Sequence, residues 1–433
     1  MIMDFCKNID ETKICVIGLG YVGLPLARLF STKYETVGFD MNQSRVDALM
    51  TGHDATLEVS DELLQDAIQN HGFRCTTNLD EIKQCNFYVV AVPTPVDSDN
   101  RPDLKPLWGA SETVGKVISK GDVVVYESTV YPGVTEEECL PVVERVSGLK
   151  FNVDFYAGYS PERINPGDKL HTVEKIKKVT SGSTPEVADF VDAIYNSVLV
   201  NGTHKAPSIK VAEASKIIEN SQRDVNIAFM NELAKIFNAM GIDTHDVIDA
   251  ASSKWNFIKL SPGLVGGHCI SVDPYYLIQK AQVYGVLPRI MHASRRLNDG
   301  MGAYVANQTI KCMNKKGVMV KNARILILGI TFKENCPDIR NTKVVDIYHT
   351  LREYTPNITV LDPWANSNHV LKEYGIVVNS QLPTANSQLY DAVILAVAHK
   401  EFLDMDVKTL VREGGVIYDV KGILPREIVD GRL

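Results

Sequence analysis

Short apolar runs alternate along the chain with amphipathic segments. From Lys13 the sequence reads KICVIGLGYVGLPLARLF, which is an apolar run, a glycine cluster and then apolar residues three to four positions apart. This pattern predicts a strand, a tight turn and a helix. The segments ETVGFD, NFYVVAVPTP and DVVVYESTV predict further buried strands. Because strands alternate with helices, we expect a parallel, doubly wound sheet in this part of the chain.

The same alternation returns near the other end of the chain, in ARILILGITFK, NITVLDPW, DAVILAVAHKEF and GGVIYDVKGIL. Between the two halves, 208–250 and 275–318 have apolar residues at helical spacing and few helix breakers. We therefore predict an α/β protein with two Rossmann-like, doubly wound domains joined by a central helical region that contains a long helix. The predicted domain boundaries are 1–205, 206–319 and 320–433.

Composition and charge exclude several classes of protein. The 433 residues are 45% apolar and 23% charged, which is typical of a folded chain and excludes disordered and collagen-like proteins. Forty-five basic and 53 acidic residues give a net charge of −8, so we predict neither nucleic acid nor a membrane surface as a partner. Eight scattered cysteines without a CxxC pair, and no long apolar segment, predict a cytoplasmic protein with free thiols. We predict no metal at the functional site.

The glycine cluster has the spacing of a dinucleotide-binding turn. GxGxxG follows a predicted strand and opens a predicted helix, as the six residues Gly18, Leu19, Gly20, Tyr21, Val22 and Gly23. Asp40 ends the next strand, where its carboxylate can accept hydrogen bonds from the adenine ribose and would repel a 2′-phosphate. The pattern therefore favours NAD over NADP. Arg45 either reaches the same ribose or lines a solvated helix face.

Two more strand ends carry small hydroxyl side chains. Thr94 follows the strand in VAVPTPV, and Glu127, Ser128 and Thr129 follow the strand in YESTVYPG. Ligands of open α/β sheets bind beyond the carboxyl ends of the strands, so these side chains are candidate ligand contacts. Ordinary turn chemistry explains the same residue types.

The middle of the chain contains the candidate chemistry. In SPGLVGGHCISVDPYY, Cys269 follows two glycines and Asp273 lies four residues later, which suits a thiolate nucleophile with a nearby base for water. Lys216, Asn220 and Arg223 share one face of a predicted helix. The loop SPERINPG adds Glu162 and Arg163, and a guanidinium there is suited to gripping phosphate or carboxylate at two points.

NAD combined with a nucleophilic cysteine indicates oxidation of an alcohol to an acid. A cysteine adds to an aldehyde, the adduct loses hydride, and water hydrolyses the resulting thioester. Two alternatives remain open from the residues. One is a two-electron hydroxyacid dehydrogenase in which Cys269 is structural, and the other is a nucleotide-sensing scaffold in which the polar face at 216–223 is ordinary surface.

Seven motifs in order, GLGYVGLP, VPTP, ESTVYPG, SPERINPG, EASKIIEN, GGHCISVDP and GITFKENCPDIRNTK, resemble the UDP-glucose/GDP-mannose dehydrogenase family over essentially the whole chain. The motifs are most similar to the branch that oxidises UDP-N-acetylhexosamines, and KWNFIKLSPGLVGGHC to enzymes that make UDP-N-acetylglucosaminuronate or its galacto epimer for capsules such as Vi antigen and for O-antigens. The resemblance implies NAD as cofactor, a UDP-sugar as substrate, and a homodimer or higher oligomer formed through the long helix.

The resemblance also implies roles for individual residues. The catalytic residues would be the nucleophile Cys269, the acid/base and oxyanion partner Lys216 with Asn220, and Asp273, Glu162 and Thr129 around the hydrolytic water. The NAD site would contain Gly18, Leu19, Gly20, Tyr21, Val22, Gly23, Asp40, Arg45, Thr94, Thr129 and Arg340. The UDP-sugar would contact Glu162, Arg163, Ile164, Lys216, Asn220, Arg223, Phe257, Lys259, Leu260, Gly263, Gly266 and Lys333.

Two departures from the family narrow the expected substrate. UDP-glucose enzymes of the family usually have lysine directly before the aspartate, where this chain has Val272. Mannosamine-type enzymes have basic residues at the positions of Ser253 and Trp255. UDP-N-acetylglucosamine is therefore the expected substrate. UDP-N-acetylgalactosamine stays open because no motif reads the C4 configuration, and UDP-glucose and UDP-N-acetylmannosamine are weaker alternatives.

Overall fold

The computed structural model describes residues 8–97, 101–163, 172–267, 270–382 and 389–433. The chain forms two compact units. The first unit extends from the N-terminal part of the chain to Glu219 and includes Tyr275–Tyr284, and the second contains Asn220–Pro274 and Gly285–Leu433. Each unit is built around its own parallel sheet.

The first unit contains a six-stranded sheet in the order β3-β2-β1-β4-β5-β6. Its strands are β1 (Lys13–Ile17), β2 (Glu35–Phe39), β3 (Arg74–Thr76), β4 (Phe87–Val90), β5 (Val123–Tyr126) and β6 (Tyr156–Tyr159). All neighbouring strands pair in parallel. The strand order reverses between β1 and β4, which makes the carboxyl ends of these two strands the expected position of a ligand.

Helices and a small second sheet complete the first unit. The helices are α1 (Gly23–Ser31), α2 (Gln43–Met50), α3 (Asp61–Asn70), α4 (Lys105–Val117), α5 (Leu140–Ser147) and α6 (Pro185–Asn196). The second sheet pairs β7 (Lys178–Thr180) with β8 (Thr203–Lys205) in parallel. Apolar side chains from both faces of the large sheet pack in two clusters, as expected when helices cover a parallel sheet on both sides.

The described residues in the middle of the chain form five helices: α7 (Ile209–Met240), α8 (Thr244–Ser252), α9 (Asp273–Val283), α10 (Arg289–Asp299) and α11 (Met301–Lys315). The boundary between the two units falls inside α7. Glycines divide the two helical segments that the sequence predicts. Gly241 follows α7 with φ of +72°, and Gly285 follows α9 with φ of +73°. A left-handed glycine is a common helix stop because it has no Cβ to clash.

The second unit contains the second six-stranded parallel sheet, in the order β11-β10-β9-β12-β13-β14. Its strands are β9 (Ile325–Leu328), β10 (Ile358–Leu361), β11 (Val378–Asn379), β12 (Tyr390–Leu395), β13 (Val411–Asp419) and β14 (Gly431–Arg432). The helices of this half are α12 (Val344–Arg352), α13 (Ser367–Tyr374) and α14 (Lys400–Leu403). The strand order reverses between β9 and β12, as it does between β1 and β4 in the first sheet.

The fold prediction is confirmed, because both halves are doubly wound parallel sheets and the helical region between them contains the 32-residue helix α7. No helix in the described ranges combines the length and the hydrophobicity that a membrane span requires.

Candidate active site

The glycine turn after β1 is tightly constrained. Gly18 has φ of +92° and donates its N–H to the carbonyl oxygen of Phe39 at 2.8 Å. A Cβ atom at Gly23 would lie 1.8 Å from the carbonyl oxygen of Gly18, so only glycine fits there. A Cβ atom at Gly20 would meet no protein atom within 4 Å. The turn is therefore packed closely at Gly18 and Gly23 and open at Gly20.

Asp40 and Arg45 both contact this turn. The Asp40 carboxylate accepts the N–H of Leu19 at 2.9 Å and the N–H of Asn42 at 2.9 Å. The Arg45 guanidinium donates to the Leu19 carbonyl oxygen at 3.0 and 2.8 Å and forms an ion pair of 2.7 Å with the buried carboxylate of Asp54. Arg45 thus supports the turn through protein contacts and does not line a solvated helix face.

These features fit a dinucleotide. The open space over Gly20 lets backbone approach a pyrophosphate, and α1 begins at Gly23 with its N–H groups at the end of the same turn. Val22 is the residue before α1, and Tyr21 lies in the turn. Asp40 is partly exposed beyond β2, where a ribose hydroxyl can reach its carboxylate.

The ends of β4 and β5 are joined by hydroxyl groups. Thr94 donates its hydroxyl to the carbonyl oxygen of Thr129 at 2.8 Å, and Ser128 donates to the carbonyl oxygen of Val92 at 2.6 Å. Tyr276 donates to the carbonyl oxygen of Thr94 at 2.5 Å. The structure therefore brings the two predicted threonines together beside the switch point of the first sheet.

A buried charge cluster holds Glu162. The Lys178 ammonium donates to Glu127 at 2.6 Å, to Glu162 at 3.3 Å and to the carbonyl oxygen of Pro161 at 3.2 Å. Tyr195 donates its hydroxyl to Glu127 at 2.6 Å. Burial raises the pKa of Glu127 to about 7, although Lys178 opposes the shift. Glu162, predicted to be catalytic, is thus fixed from behind by a lysine that has no access to solvent.

Arg163, next in the chain, is also paired. Its guanidinium contacts the Glu219 carboxylate and donates to the carbonyl oxygen of Lys177 at 3.0 Å.

Lys216 is only 7% exposed, and within the described ranges its ammonium makes no hydrogen bond or ion pair. A buried lysine without a partner is uncommon in proteins. The predicted contact Ile164 lies outside the described residues.

Glu213, one turn before Lys216 on α7, holds the segment after β5. Its carboxylate accepts the N–H groups of Gly133 at 2.5 Å and Thr135 at 2.9 Å. Burial raises the pKa of Glu213 to about 7, and the two backbone N–H groups oppose that rise. Glu213 therefore fixes the YPG turn that follows the predicted contact Thr129.

In the second unit, two predicted catalytic residues meet. Asn220 donates its side-chain N–H to the Asp273 carboxylate at 2.5 Å, and both side chains are buried. Asp273 begins α9. The predicted nucleophile Cys269 lies outside the described residues. Arg223 is exposed on α7, so a substrate role for it requires a ligand that reaches the surface of this helix.

The predicted substrate loop at 257–263 is anchored at one end. Asn231 donates to the carbonyl oxygen of Gly263 at 3.0 Å and accepts its N–H at 2.8 Å. Asn231 also donates to Asn298 at 2.8 Å. Other predicted contacts of this loop lie at or near the surface: Phe257 is exposed, Lys259 forms an ion pair of 2.7 Å with Asp249, and Leu260 is partly buried.

A cleft lies at the switch point of the second sheet, with about 340 Å³ of empty space that includes its open mouth. Its lining includes Gly266 of the central region, Thr331, Phe332 and Glu334 after β9, Ala396 and Val397 after β12, and Lys421 after β13. A Cβ atom at Gly266 would lie 2.7 Å from the carbonyl oxygen of Asn341, so this wall is closely packed.

Two further predicted residues belong to the segment after β9. Lys333 is partly exposed between the lining residues Phe332 and Glu334. The Arg340 guanidinium donates to both carboxylate oxygens of Asp338, at 2.9 and 3.0 Å from its Nε. A cofactor role for Arg340 therefore requires the guanidinium to share or leave Asp338.

Several residues of the site were missed by the sequence analysis. Each of these residues forms hydrogen bonds to the side chain or the backbone of a predicted functional segment. They are Lys178, Tyr195, Glu213 and Asn231. None of the four left a signal in the sequence, because each is far along the chain from the groups that it binds.

A doubly wound sheet with this glycine turn and an acidic residue after β2 is typical of a dinucleotide-binding protein. The chain belongs to the UDP-glucose/GDP-mannose dehydrogenase family. Residues 12–199 match the NAD binding domain of that family, residues 210–300 its central domain, and residues 326–426 its UDP binding domain. The resemblance drawn from the motifs, the NAD cofactor and the assignment as an enzyme with a UDP-sugar substrate are thereby confirmed.

Similar proteins extend over nearly the whole chain. A UDP-N-acetyl-D-glucosamine 6-dehydrogenase of Pseudomonas aeruginosa is 56% identical over 98% of this chain and 100% of its own length. The enzyme of the same name from Salmonella typhi is 54% identical over 98% of this chain and 100% of its own. Among solved structures, the UDP-D-ManNAc dehydrogenase of Pyrococcus horikoshii is 28% identical, with a TM-score of 0.86 and 96% coverage of both chains.

Proposed function

We propose that this protein oxidises the C6 hydroxyl of UDP-N-acetylglucosamine to the carboxylate and uses two NAD per turnover. The relatives from P. aeruginosa and S. typhi, both UDP-N-acetyl-D-glucosamine 6-dehydrogenases, support the substrate. The structural observation that carries the proposal is the hydrogen bond between Asn220 and Asp273. It fixes a buried carboxylate four residues after Cys269, where a two-step oxidation needs a base for water.

The chain's own residues supply the chemistry around the sugar. When bound, the nicotinamide accepts a hydride from C6 in each of the two oxidations. Lys216 takes the proton of the C6 hydroxyl as the aldehyde forms, and Cys269 then adds through its sulfur to the aldehyde carbon. The oxygen of that adduct is held by Lys216 and Asn220, and loss of the second hydride leaves a thioester.

Hydrolysis of the thioester needs an ordered water. Asp273, oriented by Asn220, removes a proton from this water as its oxygen attacks the thioester carbon. The C–S bond breaks, the acid leaves, and Cys269 is restored as a thiolate. We also propose that Glu162, held by Lys178, and Thr129 help to order the hydrolytic water. We propose that Gly18–Gly23, Asp40, Arg45, Thr94 and Arg340 hold NAD.

We propose a separate role for each of the three predicted domains. Residues 1–205 would bind NAD, 206–319 would carry the catalytic groups and the oligomer contact, and 320–433 would bind the UDP part of the substrate through Lys333. Free thiols at Cys15, Cys75, Cys85, Cys139, Cys312 and Cys336 support a reducing, cytoplasmic location. The product would serve as a precursor of surface polysaccharide, such as a capsule or an O-antigen.

Steady-state kinetics with NAD and four substrates test the proposal: UDP-N-acetylglucosamine, UDP-N-acetylgalactosamine, UDP-N-acetylmannosamine and UDP-glucose. We expect the highest kcat/KM with UDP-N-acetylglucosamine and two NADH formed per molecule of sugar consumed. One NADH per sugar would support a two-electron dehydrogenase instead. A clear preference for UDP-glucose would overturn the substrate assignment.

Cysteine variants provide the matched control. Cys269→Ser is expected to lower kcat by about 10³-fold or more, because a hydroxyl is a much weaker nucleophile than a thiolate. Cys312→Ser, at a partly buried cysteine on α11, should keep normal kcat. Equal activity of both variants would rule out the covalent mechanism. Normal turnover in Lys216→Ala, with UDP-sugar still bound, would remove the proposed acid/base role.

A further inference from the structure

The segment from Thr331 to Asn335 forms one wall of the cleft in the second sheet. Thr331, Phe332 and Glu334 line the cleft, and Lys333 lies between them. Asn335 has φ of +55°, a left-handed conformation that is uncommon outside glycine. A short segment with such a backbone needs external contacts to stay in one conformation.

His399, which follows β12, supplies these contacts. Its Nδ1 accepts the backbone N–H of Asn335 at 2.9 Å, so Nδ1 carries no proton in this arrangement. The proton of the neutral ring is therefore on Nε2, which lies 3.1 Å from the Asp362 carboxylate and 3.1 Å from the Thr331 hydroxyl oxygen. One fully buried ring thus contacts both ends of the 331–335 segment.

The direction of each hydrogen bond follows from that tautomer. Because Nε2 carries the ring proton, it cannot accept a hydrogen bond from Thr331, so the Thr331 hydroxyl donates to the carbonyl oxygen of Lys333 at 2.9 Å. At the other end, the Asn335 side chain accepts the backbone N–H of Lys400 at 3.0 Å. The peptide of Lys333 and the peptide of Asn335 are both fixed as a result.

The ring itself is held on every side. Asp362 accepts the backbone N–H groups of Ile330 and Thr331 at 2.6 and 3.0 Å on the oxygen that faces His399. Burial alone would raise the pKa of Asp362, but the His399 N–H and these backbone groups outweigh it and lower that pKa. Trp364 stacks on the ring with centroids 6.3 Å apart, and Phe402 contacts it edge-on at 5.5 Å. These hydrogen bonds and ring contacts together fix the orientation of the ring.

We propose that His399 is a positioning residue for the UDP-sugar: it holds the 331–335 segment in the conformation that binds the nucleoside diphosphate. This inference rests on the proposed function only in taking the cleft as the UDP site. His399 does not line the cleft, and it acts through Thr331 and Asn335.

A graded series of variants tests the proposal by calorimetric titration with UDP alone. His399→Ala removes both contacts and is expected to weaken UDP binding about tenfold or more, since each lost hydrogen bond costs a factor of about five. In His399→Asn the amide oxygen replaces Nδ1, and in His399→Gln the amide nitrogen replaces Nε2. Each of these variants keeps one contact, so each is expected to weaken binding about threefold to fivefold.

The same variants should separate positioning from general damage. We expect the KM for UDP-N-acetylglucosamine to rise in parallel with the Kd for UDP, whereas kcat stays within about twofold and the Kd for NAD is unchanged. His369→Ala, at an exposed histidine on α13, is the matched control and should bind UDP normally.

Three results would overturn the proposal. One is equal UDP affinity in wild type and all His399 variants, and another is an equal loss of NAD and UDP binding, which indicates damage to the whole fold. If His399→Ala does not fold, Thr331→Val replaces it, and normal UDP binding by Thr331→Val would be the third. Because UDP binding needs no turnover, wild type that binds UDP but does not oxidise UDP-N-acetylglucosamine would refute the proposed function and leave this test valid.

Discussion

At the scale of single residues, Lys178 is a buried charge that holds two carboxylates in place. Among the described residues, the cluster joins the Lys178 ammonium to the carboxylates of Glu127 and Glu162, and the side chains of Lys178 and Glu127 are fully buried. A fully buried carboxylate is costly without a counter-ion, and Lys178 supplies one for Glu127. Burial raises the pKa of Glu127 to about 7, and the negative charge of Glu162 adds to the rise, whereas Lys178 opposes it.

Lys178→Met should strongly destabilise the protein, because it removes the cation that pairs with the fully buried carboxylate of Glu127. Removing one partner of a buried ion pair typically costs about 3–5 kcal/mol. A carboxyl group whose pKa is raised by folding stabilises the fold below its unfolded pKa, and this contribution is lost as pH rises through the folded pKa. Without Lys178 the pKa of Glu127 rises further, so the difference in Tm from wild type should be larger at pH 8 than at pH 5.5.

The control is Lys205→Met on the neighbouring strand β8. Lys205 and its partner Asp189 are exposed, and exposed ion pairs contribute little to stability. Its Tm should stay close to wild type at both pH values. Circular dichroism of thermal unfolding measures both variants, and a Lys178→Met protein as stable as Lys205→Met at pH 8 would contradict the assignment of Lys178 as the counter-ion of the site.

Single residues also show where prediction from sequence stops. The positions of the glycines, Asp40, Thr94 and Thr129 in the fold could be predicted, because each of these residues lies at or just beyond the end of one strand. Lys178 lies 51 residues from Glu127, and His399 lies 64 residues from Asn335, so these pairs depend on packing of distant elements. A local pattern contains no information about such partners.

At the scale of elements, the turn between β1 and α1 has two kinds of glycine with separable roles. Gly23 packs against backbone, whereas Gly20 faces open space and does not have a positive φ. Gly23→Ala should therefore destabilise the protein without any ligand present, by about 3 kcal/mol or more, because the new methyl group would overlap the Gly18 carbonyl. Gly20→Ala should leave the Tm of the ligand-free protein unchanged.

NAD titration completes the comparison of the two glycines. The methyl group of Gly20→Ala would occupy the space through which the backbone approaches the pyrophosphate, so the Kd for NAD should rise about tenfold or more. UDP binding by the same variant should be normal and serves as its internal control. Unchanged NAD affinity in Gly20→Ala would place the cofactor elsewhere, and an unchanged Tm in Gly23→Ala would contradict the packing of the turn.

Elements were the best-predicted level of this structure. The strands β1, β2, β4 and β5 lie within the apolar runs that predicted them, because a strand buried on both faces leaves an apolar run in the sequence. The helical segments were predicted less sharply. Their ends depend on Gly241 and Gly285, and a single glycine within a helical pattern is compatible with either a stop or a continuous helix.

At the scale of the whole molecule, the same sheet topology occurs twice, with a different environment at its ligand end in each case. Both sheets have the same strand order, and each has an aspartate just after its second strand, Asp40 and Asp362. Asp40 is partly exposed and can still bind a ligand, whereas Asp362 is fully buried against His399 and backbone N–H groups. The sequence predicted the repeated topology. The difference in exposure between the two aspartates could not be predicted, because it depends on His399, which follows β12 and contacts Asp362.

The single chain leaves apolar side chains exposed on the part of α7 that belongs to the second unit. Phe229, Ile236 and Met240 are 57%, 46% and 64% exposed, and their spacing of seven and four residues places them on one side of the helix. Large apolar side chains in a row on a helix surface are typical of a protein contact. We propose that a second copy of the chain covers this row, in line with the oligomer expected from the sequence.

The double variant Phe229→Glu with Ile236→Glu should therefore be monomeric, because two carboxylates in an apolar contact cannot be solvated. Light scattering after size exclusion should give wild type at least twice the 48.0 kDa chain mass and the double variant one chain mass. Val377→Glu, at a 72% exposed valine next to β11, is the control and should keep the wild-type mass. Since both mutated positions are already exposed in the single chain, far-UV circular dichroism of the double variant should match wild type. A monomeric wild type, or a double variant that keeps the wild-type mass, would show that the row on α7 is not the contact between copies.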